Sequence, residues 1–272
     1  MIKYNLKHGL LIIMFNLLGL ATFASHPTGD TTLSPSWKKG SKMKLFWSDE
    51  FDKPGVPDPM KWGYDIGNGP DGWGNQELEY YTDKPQNAYV ENGVLKVKAI
   101  KEQHMGYSYT SARLVTRGKF EFTYGSVEIR AKLPSHVGTW PAVWMLGADI
   151  SKVPWPACGE IDIMEHRGKE LNKIVTALHY PERHGGNPNK AEKVVDGVTE
   201  EFHLYRLDWT KERINVFVDN NLIHSVPNSK NMPYNKDFYL LVNIAMGGGF
   251  GGPIDPSFRD AMLEIDYIRV YR

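Results

Sequence analysis

Apolar and polar residues alternate with period two along much of this chain, and the alternation stops and restarts at Gly, Asn and Pro. Val94-Leu95-Lys96-Val97-Lys98-Ala99-Ile100 follows a Glu91-Asn92-Gly93 turn, so residues 88–100 are predicted to form a hairpin. Residues 119–122 and 126–133 alternate on either side of Tyr124-Gly125, which predicts another strand pair. Residues 213–218 and 222–226 flank Asp219-Asn220-Asn221 and predict a further hairpin. Residues 238–246 are nearly all apolar, and residues 262–271 alternate again. Neither an internal repeat nor a long amphipathic helix interrupts this series. Many short strands joined by turns predict an all-β antiparallel sandwich in which one face of each sheet is buried. Bent sheets of that kind leave a concave outer face, a natural cleft for a linear polymer.

The first residues follow a different pattern. Lys3 and Lys7 precede an apolar run over residues 9–24 that ends Ala21-Thr22-Phe23-Ala24. Residues 1–24 therefore read as an export signal cleaved after Ala24. The run is shorter than the roughly 20 apolar residues of a spanning helix and contains Asn16, so no membrane partner is expected after cleavage. A secreted or periplasmic destination follows. Residues 25–43 are a flexible lead-in rich in Pro, Ser, Thr, Gly and Lys, and residues 44–272 read as one folded domain, expected to be a monomer.

Thirty-two basic and 32 acidic residues cancel, which removes the electrostatic case for nucleic acid and favours a neutral polymer. Eight Trp and 14 Tyr are more than a core requires, so some are expected on a surface that uses flat apolar faces. Cys158 is the single cysteine. It excludes an intrachain disulfide and reads as a buried, inert thiol.

Candidate chemistry concentrates in Trp155-Pro156-Ala157-Cys158-Gly159-Glu160-Ile161-Asp162-Ile163-Met164-Glu165-His166. In a strand Glu160 and Asp162 share a face while Ile161 and Ile163 point inward. Glu165 stands at an odd spacing, and one extra residue bulged at Ile163-Met164 would return it to the face of the other two. Three carboxyls in a row repel unless protonated or well hydrogen-bonded. Glycoside hydrolysis gives them a use, because it needs one carboxylic acid for the leaving oxygen and one carboxylate across the sugar. Glutamates leaning together over the shorter Asp162 favour the close geometry of a retaining enzyme, with Asp162 hydrogen-bonding Glu160. Trp140, Trp144 and Trp155 lie close by in sequence as a floor for sugar rings. Trp140 and Trp144 point the same way, and the alternative to a shared floor is that one of them belongs to the core.

The ordered set of segments resembles glycoside hydrolase family 16 over roughly residues 45–271. Besides Gly159-Glu160-Ile161-Asp162-Ile163-Met164-Glu165-His166 it includes Trp47-Ser48-Asp49-Glu50-Phe51, Gly72-Trp73-Gly74-Asn75-Gln76-Glu77-Leu78-Glu79-Tyr80-Tyr81-Thr82, Thr110-Ser111-Ala112-Arg113-Leu114, Trp140-Pro141-Ala142-Val143-Trp144 and Ile265-Asp266-Tyr267-Ile268-Arg269-Val270-Tyr271. Within the family the combination is similar to the laminarinase group. The resemblance implies a curved β-jelly-roll, retention, Glu160 as nucleophile and Glu165 as acid/base, with a β-1,3-glucan or mixed β-1,3/1,4-glucan as substrate. It further implies that Asn75, Arg113, Trp140, Trp144, Trp155 and His179 line the cleft. No cofactor is expected for catalysis, and a structural calcium is expected at Glu50, Gly93 and Asp266. The Gly-rich stretch Met246-Gly247-Gly248-Gly249-Phe250-Gly251-Gly252 either borders the cleft or is mobile. The rivals are a non-catalytic carbohydrate-binding sandwich and a related hydrolase or transglycosylase on another polysaccharide such as a galactan. For a sulfated galactan a basic cleft is expected, and no Lys or Arg cluster stands near the motif.

Overall fold

The computed structural model describes residues 43–272. The predicted export signal and the lead-in up to residue 42 lie outside the described residues. Two sheets face each other. The seven-stranded sheet runs Asn189–Val194, Lys173–His179, Glu160–His166, Thr139–Gly147, Phe238–Met246, Arg113–Val115 and Gly63–Tyr64. The ten-stranded sheet runs Asn221–Pro227, Arg213–Val218, His203–Trp209, Gly125–Lys132, Asp260–Tyr271, Val94–His104, Tyr107–Ser111 and Glu79–Tyr81. Leu45–Asp49 adds to Asp260–Tyr271, and Ala88–Glu91 to Val94–His104. Pairing is antiparallel except that Glu79–Tyr81 runs parallel to Tyr107–Ser111. Among the described residues no helix is long and apolar enough to cross a membrane.

Alternation built the core. Val143, Met145, Ile161, Ile163, Leu240, Val242 and Ile244 pack from one sheet against Leu95, Val97, Val127, Ile129, Leu207, Leu263 and Ile265 from the other, all buried. Each such side chain contributes roughly 1.5–3 kcal/mol of transfer free energy. Both hairpins form, the first at its predicted turn and the second with a loop one residue shorter than predicted, since Asn221 already pairs with Val218. Asn92 (φ 54°) and Gly93 (φ 75°) take the left-handed conformation, as do Asp219 (φ 47°) and Asn220 (φ 66°), which is what two-residue hairpin loops require.

Residues 119–122 do not form the predicted strand. The backbone N–H groups of Lys119 and Phe120 both donate to the Thr116 carbonyl at 2.9 Å, closing a turn. Phe120 stacks on Trp47 with centroids 4.7 Å apart and on Phe122 at 5.2 Å. The apolar alternation there serves an aromatic cluster. In Phe238–Met246 all nine residues are buried, because the strand lies inside the seven-stranded sheet and its outer face is covered as well. The alternation of residues 262–271 begins two residues earlier, at Asp260, and breaks at a bulge between Ile265 and Tyr267.

Candidate active site

The strand Glu160–His166 pairs with Thr139–Gly147 on one side and Lys173–His179 on the other. Asp162 lies opposite Trp144, but Met164 lies opposite Val143, so two positions advance against one. On the other side Asp162 meets Ala177 and Glu165 meets Val175. This is the bulge expected at Ile163-Met164. Ile161, Ile163 and Met164 are buried in the core, and Glu160, Asp162 and Glu165 point to the outer face together.

Each glutamate accepts an indole hydrogen bond. Trp155 Nε1 donates to Glu160 Oε2 at 3.0 Å, and Trp140 Nε1 donates to Glu165 Oε1 at 2.9 Å. Between them stands Asp162, 4% exposed. No direct bond joins Asp162 to Glu160 as expected; His179 is interposed. Its Nδ1 accepts the Gly185 N–H at 3.2 Å, so Nε2 bears the hydrogen and faces Asp162 Oδ2 at 3.2 Å and Glu160 Oε1 at 3.6 Å. Tyr234 holds the floor beneath by donating to the His179 carbonyl at 2.9 Å.

Burial dominates the electrostatics. It pushes Glu160 up to about 8, with the Asp162 charge adding and His179 opposing. It likewise pushes Asp162 up to about 8. Glu165 also rises to about 8, by burial and then by the Asp162 charge, against the stabilising Trp140 N–H. Groups this close share protons, so they titrate as one system. All three shifts favour the protonated carboxyl near neutral pH, the form that a general acid needs.

Trp140 and Trp144 share the outer face and both are half-buried, Trp144 packing against the small cluster that includes Val115, Leu146 and Tyr239. Trp144 Nε1 donates to Asn243 Oδ1 at 2.8 Å. Arg113 lies between rings, its Cζ 4.8 Å from the Trp144 centroid and 4.3 Å from that of Trp73, and pairs with buried Asp65 at 3.2 Å. Asn75 sits on the exposed Gly72–Gln76 turn. Sequence reasoning missed Asn243, Tyr234 and Phe250 as site residues. Phe250 packs 5.0 Å from Trp140 and beneath Arg167. The Gly-rich stretch therefore borders the site, and it is pinned there: Gly247 N–H donates to the Gly138 carbonyl at 2.8 Å.

Among the described residues, the ionisable side chains that converge closely enough for a metal are Glu160, Asp162 and His179, the carboxylate site itself. The carboxylates expected to hold calcium are occupied differently. Glu50 is gripped by Arg269 through two guanidinium nitrogens at 2.8 and 3.0 Å, and Asp266 by Arg130 at 2.6 Å. As they stand these side chains do not fit a hard cation. Glu50, Gly93 and Asp266 nonetheless fall near one junction, where Asp260–Tyr271 exchanges Val94–His104 for Leu45–Asp49 as its neighbour.

The family model for glycosyl hydrolases family 16 matches residues 74–269. The chain belongs to that family. Family members similar to it include a beta-glucanase of Rhodothermus marinus, 45% identical over 251 residues that cover 86% of this chain and 87% of the relative. The laminarinase structure from the same organism superposes with a TM-score of 0.81 at 45% identity, covering 85% of this chain and 98% of that one. A LamA variant of Zobellia galactanivorans, crystallised with laminaritriose and laminaritetraose, superposes with a TM-score of 0.78 at 42% identity, covering 84% and 98%. These family-16 structures share the two-sheet jelly-roll described above.

Proposed function

We propose that this chain is a retaining endo-glycosidase that cleaves β-1,3-glucan and accepts mixed β-1,3/1,4-glucan. The observation that carries it is the bulge in Glu160–His166, which returns Glu165 to the face of Glu160 and Asp162. Glu160 attacks the anomeric carbon as the glycosidic bond breaks, and Glu165 gives its proton to the leaving oxygen. In the second step Glu165 takes a proton from water, whose oxygen attacks the same carbon and releases Glu160. Burial supports the acid role of Glu165, since it keeps the proton in place at neutral pH. His179 faces both Glu160 and Asp162 and steadies the charge that Glu160 carries. Trp140, Trp144 and Trp155 offer indole faces to glucose rings, with Arg113 and Asn75 at the margin.

Purified residues 25–272 given laminarin, mixed-linkage glucan, xyloglucan, agarose and carrageenan are expected to release reducing ends from the first two, and Glu160→Gln to release none. Turnover of a galactan alone would reject the substrate. Binding without turnover would make the chain a carbohydrate-binding sandwich.

Export and a monomeric state belong to the same reading. Export rests on Lys3, Lys7 and the apolar run through Ala24; an exported protein whose sequence begins at Ser25 is expected. A calcium near Glu50, Gly93 and Asp266 is proposed through main-chain oxygens, because arginines hold both carboxylates. A melting temperature raised by calcium and lowered again by EDTA supports it, and an indifferent one removes it.

A further inference from the structure

A line of hydrogen bonds runs from the floor of the site into the core and back to its rim, and every link has a determined direction. The Trp144 indole can only donate, so Asn243 Oδ1 accepts at 2.8 Å. Asn243 Nδ2 then donates to the Tyr81 hydroxyl at 3.0 Å. Having accepted that bond, Tyr81 donates its own hydrogen to Glu77 Oε2 at 3.0 Å. The other Glu77 oxygen accepts Asn75 Nδ2 at 3.1 Å. Tyr81 is fully buried and Glu77 is 6% exposed, so water does not scramble this order.

Glu77 accepts on both oxygens, which is what an ionised carboxylate does. Its neighbour Glu79 is wholly buried and takes the Met246 N–H on Oε2 at 2.5 Å. Two carboxylates this close do not both ionise in a buried setting. Burial, and then the Glu77 carboxyl beside it, hold Glu79 well above the usual carboxylate range, so Glu79 keeps its proton.

We propose that Glu77 is a positioning residue which fixes the Asn75 amide with its carbonyl oxygen toward the cleft, so that Asn75 selects a sugar hydroxyl acting as donor. This rests on the glucanase reading above. Glu77 touches no substrate; it sets which half of an amide does.

The test exchanges polarity across the pair. In Glu77→Gln the new carbonyl must still accept from Tyr81, so its amide hydrogen faces Asn75 and turns the Asn75 amide over. In Asn75→Asp two carboxylates face each other. The double variant Asn75→Asp with Glu77→Gln lets the new glutamine donate to the new aspartate, whose second oxygen again faces the cleft as acceptor. Affinity for a β-1,3-linked glucose tetrasaccharide is measured by calorimetry in the Glu160→Gln background, and kcat and KM on laminarin without that change. Each single variant is expected to lose roughly tenfold to a hundredfold in affinity, and the double variant to recover at least tenfold over either. A double variant no better than the poorer single, or a Glu77→Gln with unchanged affinity, overturns the proposal. If Glu77→Gln does not fold, monofluorinated tetrasaccharides replace it, since fluorine cannot donate. One member of that series is expected to lose about tenfold on the wild-type cleft and nothing further on Asn75→Ala; equal losses on both overturn the proposal. A wild-type protein that neither binds nor cuts the glucan overturns instead the functional reading beneath it.

Discussion

Replacing Trp140 by Phe keeps a flat ring over the sheet and removes one hydrogen bond, the 2.9 Å contact from Nε1 to Glu165 Oε1. That bond stabilises the ionised form of Glu165, which lies near 8 with the bond in place. A hydrogen bond to a charged group contributes about 1.5–3 kcal/mol, and 1.36 kcal/mol corresponds to one pKa unit. Trp140 is only partly buried, so the lower end applies and the change is about 1 pH unit. The sign follows from which form loses support. Without the indole N–H the carboxylate is disfavoured, Glu165 stays protonated to higher pH, and a general acid remains competent there. The basic limb of the kcat/KM profile on laminarin should therefore move up by about 1 pH unit while its height falls through lost binding. Trp155→Phe provides the mirror case, because Trp155 donates to Glu160 Oε2. There the nucleophile ionises later, so the acid limb moves up, and by less, since Trp155 is 41% exposed. The limbs report the coupled carboxyls rather than isolated ones, yet the two substitutions should act on opposite limbs. A basic limb that stays put or moves down in Trp140→Phe would refute the assignment of Glu165 as the acid.

Glu160→Gly with added azide should yield a glucosyl azide of α configuration, seen by NMR, if Glu160 is the nucleophile; a β-azide would mean that another carboxylate still forms the covalent intermediate, making Glu160 the acid/base. Glu160→Gln should be more stable than wild type, because the folded-state pKa of Glu160 is raised to about 8. The folded protein then binds the proton more tightly than the unfolded chain, so wild-type stability falls as pH rises from about 4.5 toward 8. The melting advantage of Glu160→Gln should be absent below about pH 4.5 and reach a few degrees near pH 8; a constant advantage would contradict this origin. Gly147→Ala places a methyl group 2.1 Å from the Cys158 carbonyl oxygen. Overpacking costs about 1–3 kcal/mol, so calorimetry should show a melting point lower by several degrees, and kcat should fall because Cys158 leads into Glu160.

How much of this was legible in the sequence varied with the range of the interaction. The bulge was legible because Asp162 and Glu165 have an odd spacing that a regular strand cannot reconcile with a common face. The hairpin at Asn92-Gly93 was legible because its turn chemistry is local. Residues 119–122 were misread because period two has two causes, and stacking on Trp47, some 70 positions distant, produced it there. The choice between floor and core for Trp144 could not be made from its own segment, because nothing there announces Asn243, which holds it outward from another strand. Glu77 and Glu79 stand in the Gly72–Thr82 segment, but their partners, Met246 directly and Asn243 through Tyr81, arrive from far along the chain. The arginine partners of Glu50 and Asp266 were hidden for the same reason, since Arg130 and Arg269 are invisible as partners until the strands are paired.

The strand Asn189–Val194 closes one edge of the sheet that carries the carboxylates, and its Lys190, Glu192 and Lys193 are charged, with Lys190 and Glu192 paired at 2.9 Å. An open edge is a template on which another molecule can add a strand. Enzymes that cut a polymer gather along it, which raises their local concentration far above that in solution. Charges on this rim discourage neighbours on one glucan chain from zipping their sheets together, so crowding on the substrate need not become aggregation.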